Sequence, residues 1–234
     1  MTGPVVALVV AAGSGVRLGG EGPKALRRLA GKPLLLHALH NLAAGGVDSA
    51  VVIIRETDRS LVAAALDGLA GLPVAVVAGG AERQDSVRLG LDALPHDPAP
   101  SVVLVHDAAR PLVDPGTIAR VIAAVRSGAR AVVPGIPVVD TIRQYDADDQ
   151  GGSHGLDRSR LVAVQTPQGF DPATLRAAHD HVRELGLTVT DDAGACEQLG
   201  VAVRIVPGSV TGIKITHPQD LGLAEVLLTT GGAR

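Results

Sequence analysis

Three segments of the 234-residue chain place small residues beside charged ones, and each follows a short apolar run. The segments are AAGSGVRLGGEGPK (11–24), AGGAERQDS (78–86) and HDAARP (106–111). Glycines allow backbone N–H groups to approach phosphate oxygens closely, and cations in the same loop neutralise the phosphate charge. The first segment contains five glycines together with Arg17 and Lys24. It therefore predicts a phosphate-binding loop, with a flexible turn between a strand and a helix as the alternative.

The spacing of these glycines narrows the class of phosphate ligand. The pattern G-x-G-x-x-x-G at 13–19 does not match the dinucleotide fingerprint, and residues 22–47 contain no Asp or Glu to hold a ribose. A P-loop is also missing, because the GK pair at 31–32 is followed by Pro33 where that motif needs Ser or Thr. The sequence thus disfavours nicotinamide and flavin enzymes and favours a free nucleoside triphosphate.

A carboxylate follows another apolar run, SVVLV at 101–105. This places Asp107 at the carboxyl edge of the predicted sheet, opposite the glycine-rich loop. Mg²⁺ binds one or two carboxylates together with phosphate oxygens and water, so Asp107 is a candidate magnesium ligand. The alternatives are a helix N-cap or an ion pair with Arg110, three residues further on.

These segments require a scaffold of alternating strands and helices. Apolar runs that are hydrophobic on both faces predict buried strands over 5–10, 50–54, 74–77, 101–105, 131–134 and 201–206. Helical patterns predict helices over 34–44, 60–69, 86–94, 115–126 and 172–185. Asp114 and Asp171 each precede a proline and are predicted N-caps. The fold class is therefore α/β: one three-layer αβα domain over 1–234 with a mostly parallel sheet.

One segment, 138–165, departs from this alternation. It consists of two extended pieces around a polar tip with the sequence DDQGG, which predicts a hairpin or arm. A two-stranded hairpin is marginally stable alone in water, so the arm is expected to pack on a second copy of the chain. We therefore expect a homodimer.

Composition excludes several classes of partner. Hydrophobic residues make up 46% and charged residues 19%, which favours a folded core over disorder. The net charge of −3 and an aromatic content of 1% disfavour nucleic-acid binding. Cys196 is the single cysteine, so no intrachain disulfide forms, and it is predicted to be a small buried residue. The apolar run at 5–12 is too short for a membrane span and lacks a basic flank, so a cytoplasmic protein is expected.

Nine motifs then occur in order along nearly the whole chain. They are AAGSGVRLGGEGPK, LAGKPLLLHAL, GGAERQDSV, VHDAARP, DTI, DRSRL, QTPQGF, TDDA and GIKIT. In this combination the sequence resembles the 2-C-methyl-D-erythritol 4-phosphate cytidylyltransferases of non-mevalonate isoprenoid synthesis. The resemblance implies a Rossmann-like nucleotidyltransferase sheet with a projecting arm for dimerisation. It also implies transfer of a cytidylyl group from CTP to methylerythritol phosphate with release of pyrophosphate and with Mg²⁺ as cofactor.

The resemblance also implies roles for individual residues. The cytidine pocket would be lined by Ala11, Ala12, Gly13, Gly80, Ser86 and Ala108. The triphosphate would be bound by Gly15, Arg17 and Lys24, with Lys214 on its far side and Asp107 on Mg²⁺. The methylerythritol phosphate would be held by Arg110, Thr166 and Thr190 of one subunit and by Thr141 and Arg158 from the arm of its partner. The family pattern is not matched at Ala25, Leu26 and Val162, where an aromatic or Gln is common.

Two alternative functions remain at this point. A relative could transfer the cytidylyl group to another polyol phosphate, such as ribitol 5-phosphate, and only the acceptor-binding residues discriminate between the two. A catalytically silent nucleotide-binding regulator is the other alternative. The presence of Arg17, Lys24, Asp107 and Lys214 together argues against it, because a silent protein has no need for all four charged groups.

Overall fold

The computed structural model describes residues 3–13, 15–19, 22–145 and 152–231. The described residues form twelve strands: β1 (Val5–Val10), β2 (Arg28–Leu29), β3 (Lys32–Pro33), β4 (Ser49–Ile54), β5 (Val74–Ala78), β6 (Val102–Asp107), β7 (Ala131–Pro137), β8 (Arg143–Tyr145), β9 (Ser153–Gly155), β10 (Val162–Val164), β11 (Gln168–Phe170) and β12 (Val203–Pro207). They also form seven α-helices: α1 (Leu34–Ala44), α2 (Arg59–Leu66), α3 (Arg83–Asp92), α4 (Pro115–Arg126), α5 (Pro172–Glu184), α6 (Asp192–Gln198) and α7 (Pro218–Gly231). No helix in this described part is both long and apolar enough to cross a membrane.

A central sheet organises the chain. Its strand order is β10-β7-β11-β6-β1-β4-β5, and β12 pairs with β7 at the same edge as β10. β1 lies in the middle and pairs in parallel with both β4 and β6. The antiparallel strand β11 is inserted between β6 and β7. Because β5, β4, β1 and β6 are parallel neighbours, their carboxyl ends meet at one edge of the sheet.

Helices cover both faces of this sheet. Alternate residues of β1 point to opposite faces, so Val5, Ala7 and Val9 pack with α1 and α4, whereas Val6 and Leu8 pack with α3 and α5. Both sets are fully or almost fully buried. The predicted three-layer αβα architecture with a mostly parallel sheet is therefore confirmed.

Helix boundaries follow local signals where those signals are strong. α1 and α4 span the predicted ranges, and the predicted cap Asp114 accepts a hydrogen bond from the Thr117 N–H at 2.8 Å. The predicted start of α3 at residue 86 was wrong by three residues, because the side chains of Glu82 and Asp85 form a capping box that begins the helix at Arg83. The end predicted for α2 at residue 69 was also wrong, since the helix stops at Leu66. The strands β2, β3 and β11 and the helix α7 were not predicted.

The segment predicted as an arm has two parts in the structure. β8 and β9 pair antiparallel as a separate two-stranded sheet. β10 instead joins the edge of the central sheet by pairing with β7. The side chains of Val139 and Tyr145 are both 77% exposed. Residues 148–151 of the predicted polar tip lie outside the described residues, and dimerisation through the segment stays a prediction.

Candidate active site

A cavity of about 570 Å³ opens at the carboxyl ends of β5, β4, β1 and β6. It brings together residues from five separate parts of the sequence. Every residue predicted to contact CTP lines it: Ala11, Ala12, Gly13, Gly15, Arg17, Lys24, Gly80, Ser86, Asp107, Ala108 and Lys214. The volume is within the range of small-molecule sites, which supports a nucleotide-sized ligand.

The glycine-rich loop folds so that its two cations face the cavity. Gly15 has a φ of +67°, and a Cβ atom there would lie 2.6 Å from the Cβ of Lys24. The loop therefore needs glycine at this position, both for the backbone conformation and for the close approach of the lysine. Arg17 sits in a short 3-10 helix, Val16–Leu18, and Lys24 begins another, Lys24–Leu26.

A small apolar cluster holds the backbone next to two of the cations, Arg17 and Lys214. Its buried members are Leu18, Leu29, Leu34, Leu112, Ile215 and Ala224. Leu18 adjoins Arg17, and Ile215 adjoins Lys214, so the cluster anchors both cations through neighbouring side chains. The Ile215 N–H also donates to the carbonyl of Ala109 at 2.8 Å. Although Lys214 lies outside any helix or strand, its backbone is thus held in place.

Asp107 is an ionised carboxylate in the centre of the site. Its Oδ2 atom lies 2.7 Å from Nζ of Lys214, and its Oδ1 atom lies 3.7 Å from Nε of Arg83. Burial by itself raises the pKa of Asp107, but the charges of Lys214 and Arg83 outweigh burial and lower that pKa to about 2. The sequence left open an ion pair between Asp107 and Arg110, but Asp107 pairs with Lys214 and Arg83 instead.

The cations of the site repel one another. Burial lowers the pKa of Lys24 from its ordinary value, and the charges of Lys214 and Arg17 lower it further. Asp107 opposes these effects but does not cancel them. A cavity with more positive than negative charge is suited to a polyanion, because the ligand relieves this repulsion.

Another part of the cavity wall is formed by the small residues Gly80, Ala81 and Ser86. The Gly80 N–H donates to the buried hydroxyl of Ser86 at 3.1 Å, which holds the loop after β5 against α3. A Cβ atom at Gly80 would collide with the Cβ of Asp85. The Gly79 N–H donates to the carbonyl of Ile54 at 2.7 Å and ties this loop to the end of β4. The loop is therefore fixed by one hydrogen bond to the Ser86 hydroxyl and one to the backbone of Ile54.

Arg83 is a cavity residue that the sequence did not single out. Its Nη2 atom lies 2.7 Å from Oδ2 of Asp192, and Nε2 of His179 lies 3.0 Å from the other oxygen of that carboxylate. Burial raises the pKa of Asp192, whereas the hydrogen bond from His179 and the charge of Arg83 outweigh burial and lower it. A buried anion on α6 thus anchors Arg83 beside Asp107. Asp192 is the first residue of α6, directly after the N-cap Asp191.

The residues predicted to bind the acceptor do not line this cavity. Arg110 donates to the carbonyls of Gly212 at 2.7 Å and Val164 at 3.3 Å. Thr166 is buried beneath the site, where its hydroxyl accepts from the Asp107 N–H at 3.1 Å. The remaining three residues are exposed: Thr141, Arg158 and Thr190. Within one chain these five side chains are therefore spread over several places.

A further positioning residue, Gln165, was missed although it lies within the QTPQGF motif. Its amide nitrogen donates to the carbonyl of Ser209 at 2.8 Å, and its amide oxygen accepts from the Ser209 N–H at 3.0 Å. The same amide nitrogen lies 3.4 Å from the carbonyl oxygen of Gly212. Gln165 thereby clamps the loop that leads into Lys214.

Two further observations bear on the choice of chemistry. Cys196 is buried as predicted, and burial, reinforced by the charges of Asp192 and Asp191, raises the pKa of its thiol to about 12. It is therefore a thiol at neutral pH and not a nucleophile. Among the residues that the structure describes, no three His, Cys, Asp or Glu side chains come together as a metal site. A metal in the cavity would need ligands from the substrate as well as from Asp107.

Comparisons with known proteins agree on one family. The model of the IspD family, 2-C-methyl-D-erythritol 4-phosphate cytidylyltransferase, matches residues 5–230. A relative of that name from Streptomyces coelicolor is 50% identical over 231 residues, covering 95% of this chain and 84% of the relative. Another, from Rhodococcus opacus, is 49% identical, with 98% of this chain and 97% of the relative covered. The crystal structure of the protein of that name from Thermus thermophilus is similar with a TM-score of 0.75 at 37% identity, covering 98% of this chain and all of the other.

Proposed function

The chain belongs to the 2-C-methyl-D-erythritol 4-phosphate cytidylyltransferase family, and we propose that the cavity described above carries out that reaction. CTP and 2-C-methyl-D-erythritol 4-phosphate are converted to 4-diphosphocytidyl-2-C-methyl-D-erythritol and pyrophosphate. The observation that carries the assignment of the site is the convergence of Arg17, Lys24 and Lys214 with Asp107 around one cavity. The names of the relatives favour methylerythritol phosphate over another polyol phosphate as acceptor.

The reaction needs positioned charges and no nucleophilic side chain. A phosphate oxygen of the acceptor attacks the α-phosphorus of CTP, the new P–O bond forms, and the bond to the bridging oxygen of pyrophosphate breaks. Negative charge builds up on the α-phosphate and on the departing pyrophosphate during this step. Arg17, Lys24 and Lys214 line the cavity in which this charge would develop, so their positive charges would stabilise the transition state.

The residues present fit a divalent cation of the magnesium type. Asp107 is ionised at neutral pH, and Mg²⁺ commonly takes one or two protein carboxylates together with phosphate oxygens and water. Lys214 occupies one oxygen of that carboxylate, so its ammonium is expected to move from Asp107 to a phosphate when the nucleotide and Mg²⁺ bind. When bound, Mg²⁺ neutralises phosphate charge and polarises the α-phosphate for attack.

We further propose that the acceptor site is completed by a second copy of the chain. Arg110, Thr166 and Thr190 would come from one subunit, and Thr141 and Arg158 from the other. Two observations support this division. Thr141 and Arg158 lie in the exposed segment around β8 and β9, and that segment presents Val139 and Tyr145 to solvent. A pair of three-residue strands is too small to be stable alone, so a covering surface is expected.

Subunit mixing tests this division. Chains with Arg158→Ala and chains with Lys24→Ala, each nearly inactive alone, are combined and allowed to exchange. In an isologous heterodimer one site receives both defects and the other receives neither, so activity should recover to about half of the unaltered dimer. Heterodimers confirmed by native mass spectrometry that show no recovery would mean that Arg158 acts within its own subunit.

The proposed reaction is tested by pyrophosphate release from CTP with two acceptors. We expect release with methylerythritol phosphate and little with ribitol 5-phosphate, and no release without an acceptor. Equal rates with both acceptors would refute the acceptor assignment. Tight CTP binding without turnover on either acceptor would favour the silent nucleotide-binding regulator. The cytoplasmic location stays a prediction from the sequence.

A further inference from the structure

Arg55 lies in the cavity wall at a place that neither the motifs nor the proposed triphosphate site explains. It directly follows β4, and it lines the same cavity as Lys24 and Asp107. Neighbouring strands of a sheet are about 4.8 Å apart, and β4 is two strands away from β6. Arg55 therefore starts about 10 Å from the strand end that carries Asp107, on the side of Gly80 and Ser86.

Backbone hydrogen bonds fix the position of Arg55 relative to both small-residue loops. The carbonyl of Ile53 accepts from the Ala11 N–H at 2.8 Å, and the carbonyl of Ile54 accepts from the Gly79 N–H at 2.7 Å. The loops that begin at Ala11 and at Gly79 flank the proposed base pocket. Both are thus hydrogen-bonded to the two residues that precede Arg55. A side chain at this point borders the part of the cavity that Gly80 and Ser86 line.

The guanidinium of Arg55 is held in one orientation. Nε donates to Oδ2 of Asp58 at 2.8 Å, and Nη2 donates to Oδ1 of the same carboxylate at 3.2 Å. The Asp58 side chain is 9% exposed and that of Arg55 is 40% exposed. A guanidinium has five N–H donors, and the described residues supply no acceptor for Nη1. Arg55 is therefore a pre-oriented donor at a cavity wall, which costs little entropy when a ligand binds.

From this placement we infer that Arg55 is a nucleotide-binding residue that donates a hydrogen bond to an acceptor atom of the CTP base. The inference rests on the proposed function, since it assumes that CTP occupies the cavity with its phosphates at the lysines. A guanidinium has only donors, and a pyrimidine ring offers the carbonyl O2 and the ring N3 as acceptors. The contact adds affinity for the base end and does not take part in phosphoryl transfer, so it changes KM and not kcat.

The test compares a ligand that has a base with one that does not. The Arg55→Gln variant removes the charge and shortens the side chain but keeps an amide that can donate to Asp58, which protects the fold. Binding of CTP and of inorganic tripolyphosphate is measured by calorimetry in the presence of Mg²⁺. We expect the Kd for CTP to rise about 10-fold, as for loss of one charge-assisted hydrogen bond, and the Kd for tripolyphosphate to stay within about 2-fold. In turnover, KM for CTP should rise similarly while kcat changes less than about 2-fold.

Arg59→Gln is the matched control. Arg59 directly follows Asp58, does not line the cavity, and pairs with a nearby carboxylate through the same two guanidinium nitrogens as Arg55. Arg59 donates to Glu56 through Nε and Nη2, each at 2.7 Å. This control should leave both dissociation constants unchanged. Arg55→Lys keeps the charge, and it should give a CTP affinity between those of the unaltered protein and Arg55→Gln.

Three results would overturn the inference. CTP affinity in Arg55→Gln equal to that of the unaltered protein would show that Arg55 serves only to hold the turn before α2. Equal losses for CTP and tripolyphosphate would place Arg55 at the phosphates or in the general stability of the cavity. Failure of the unaltered protein to bind CTP would refute the proposed function itself, and the inference with it.

Discussion

Replacement of Asp107 by asparagine tests whether the centre of the cavity is an electrostatic unit. The charges around Asp107 lower its pKa from 3.8 to about 2 in spite of burial. A depressed carboxyl pKa stabilises the fold at all pH values above the unfolded pKa, and this contribution is lost as the pH falls through the folded value. At pH 7 the whole contribution is present, and lowering this pKa from 3.8 to about 2 corresponds to about 2.5 kcal/mol.

Asp107→Asn should therefore lower the free energy of unfolding by about 2 kcal/mol at pH 7, because Lys214, Arg83 and Lys24 lose their counter-charge. For a chain of this size that corresponds to a fall of about 4–8 °C in Tm. The comparison is made by thermal unfolding at low ionic strength. The matched control is Asp92→Asn: the Asp92 side chain is 53% exposed, and its Oδ1 atom lies 3.0 Å from Nη1 of Arg176. An exposed pair contributes little, so the control should move Tm by no more than about 2 °C.

The same variant has an opposite effect on anion binding. Without the carboxylate, Lys214 has no partner to give up and the cavity carries one more net positive charge. Inorganic tripolyphosphate should then bind more tightly to Asp107→Asn than to the unaltered protein in the absence of Mg²⁺. Turnover should nevertheless need more Mg²⁺ than before. Unchanged stability, together with unchanged Mg²⁺ dependence, would refute this account of Asp107.

Three further predictions concern the surrounding groups. Lys24→Ala or Arg17→Ala should lower kcat about 100-fold or more with little loss of Tm, since each removes a transition-state donor; unchanged turnover in folded Lys24→Ala protein would contradict the proposed mechanism. Pyrophosphate release should be far faster with CTP than with ATP or GTP, because the loop at 78–86 is packed tightly around Gly80 and is expected to exclude the larger purine ring, and equal rates would show that the base lies elsewhere. Asp192→Asn should lower the urea midpoint and raise KM for CTP, since it leaves the buried end of Arg83 unpaired; a fall in stability with KM unaltered would limit Arg83 to a structural role.

Some of the site could be predicted because its signals are local in the sequence. Arg17 and Lys24 belong to the glycine-rich loop that follows one apolar run, Asp107 lies at the end of another, and parallel strands bring these ends to one edge. Asp114 illustrates the same point for the fold, since an Asp before a proline specifies a helix start without reference to the rest of the chain.

The missed features depend on residues that are far apart. Arg83 contacts Asp192 across 109 positions, and no local pattern connects them. β11 (Gln168–Phe170) has only three residues, too few for a hydrophobic period, and it is fixed by pairing with β6 and β7. Arg55 was overlooked for a different reason. It follows β4 (Ser49–Ile54), and the segment after this strand lacks the small residues that marked the segments at 11–24, 78–86 and 106–111.

Contacts outside the cavity hold the backbone of Lys214 in place while its side chain can still move. Gln165 clamps Ser209 and Gly212 before Lys214, and Ile215 is buried immediately after it. The backbone on both sides of Lys214 is therefore anchored, while its side chain is 44% exposed. Only side-chain torsions need to change for the ammonium to leave Asp107 and reach a phosphate. Once the ammonium lies on a phosphate, no further rearrangement of the backbone is needed for it to stabilise the charge that develops in the transition state.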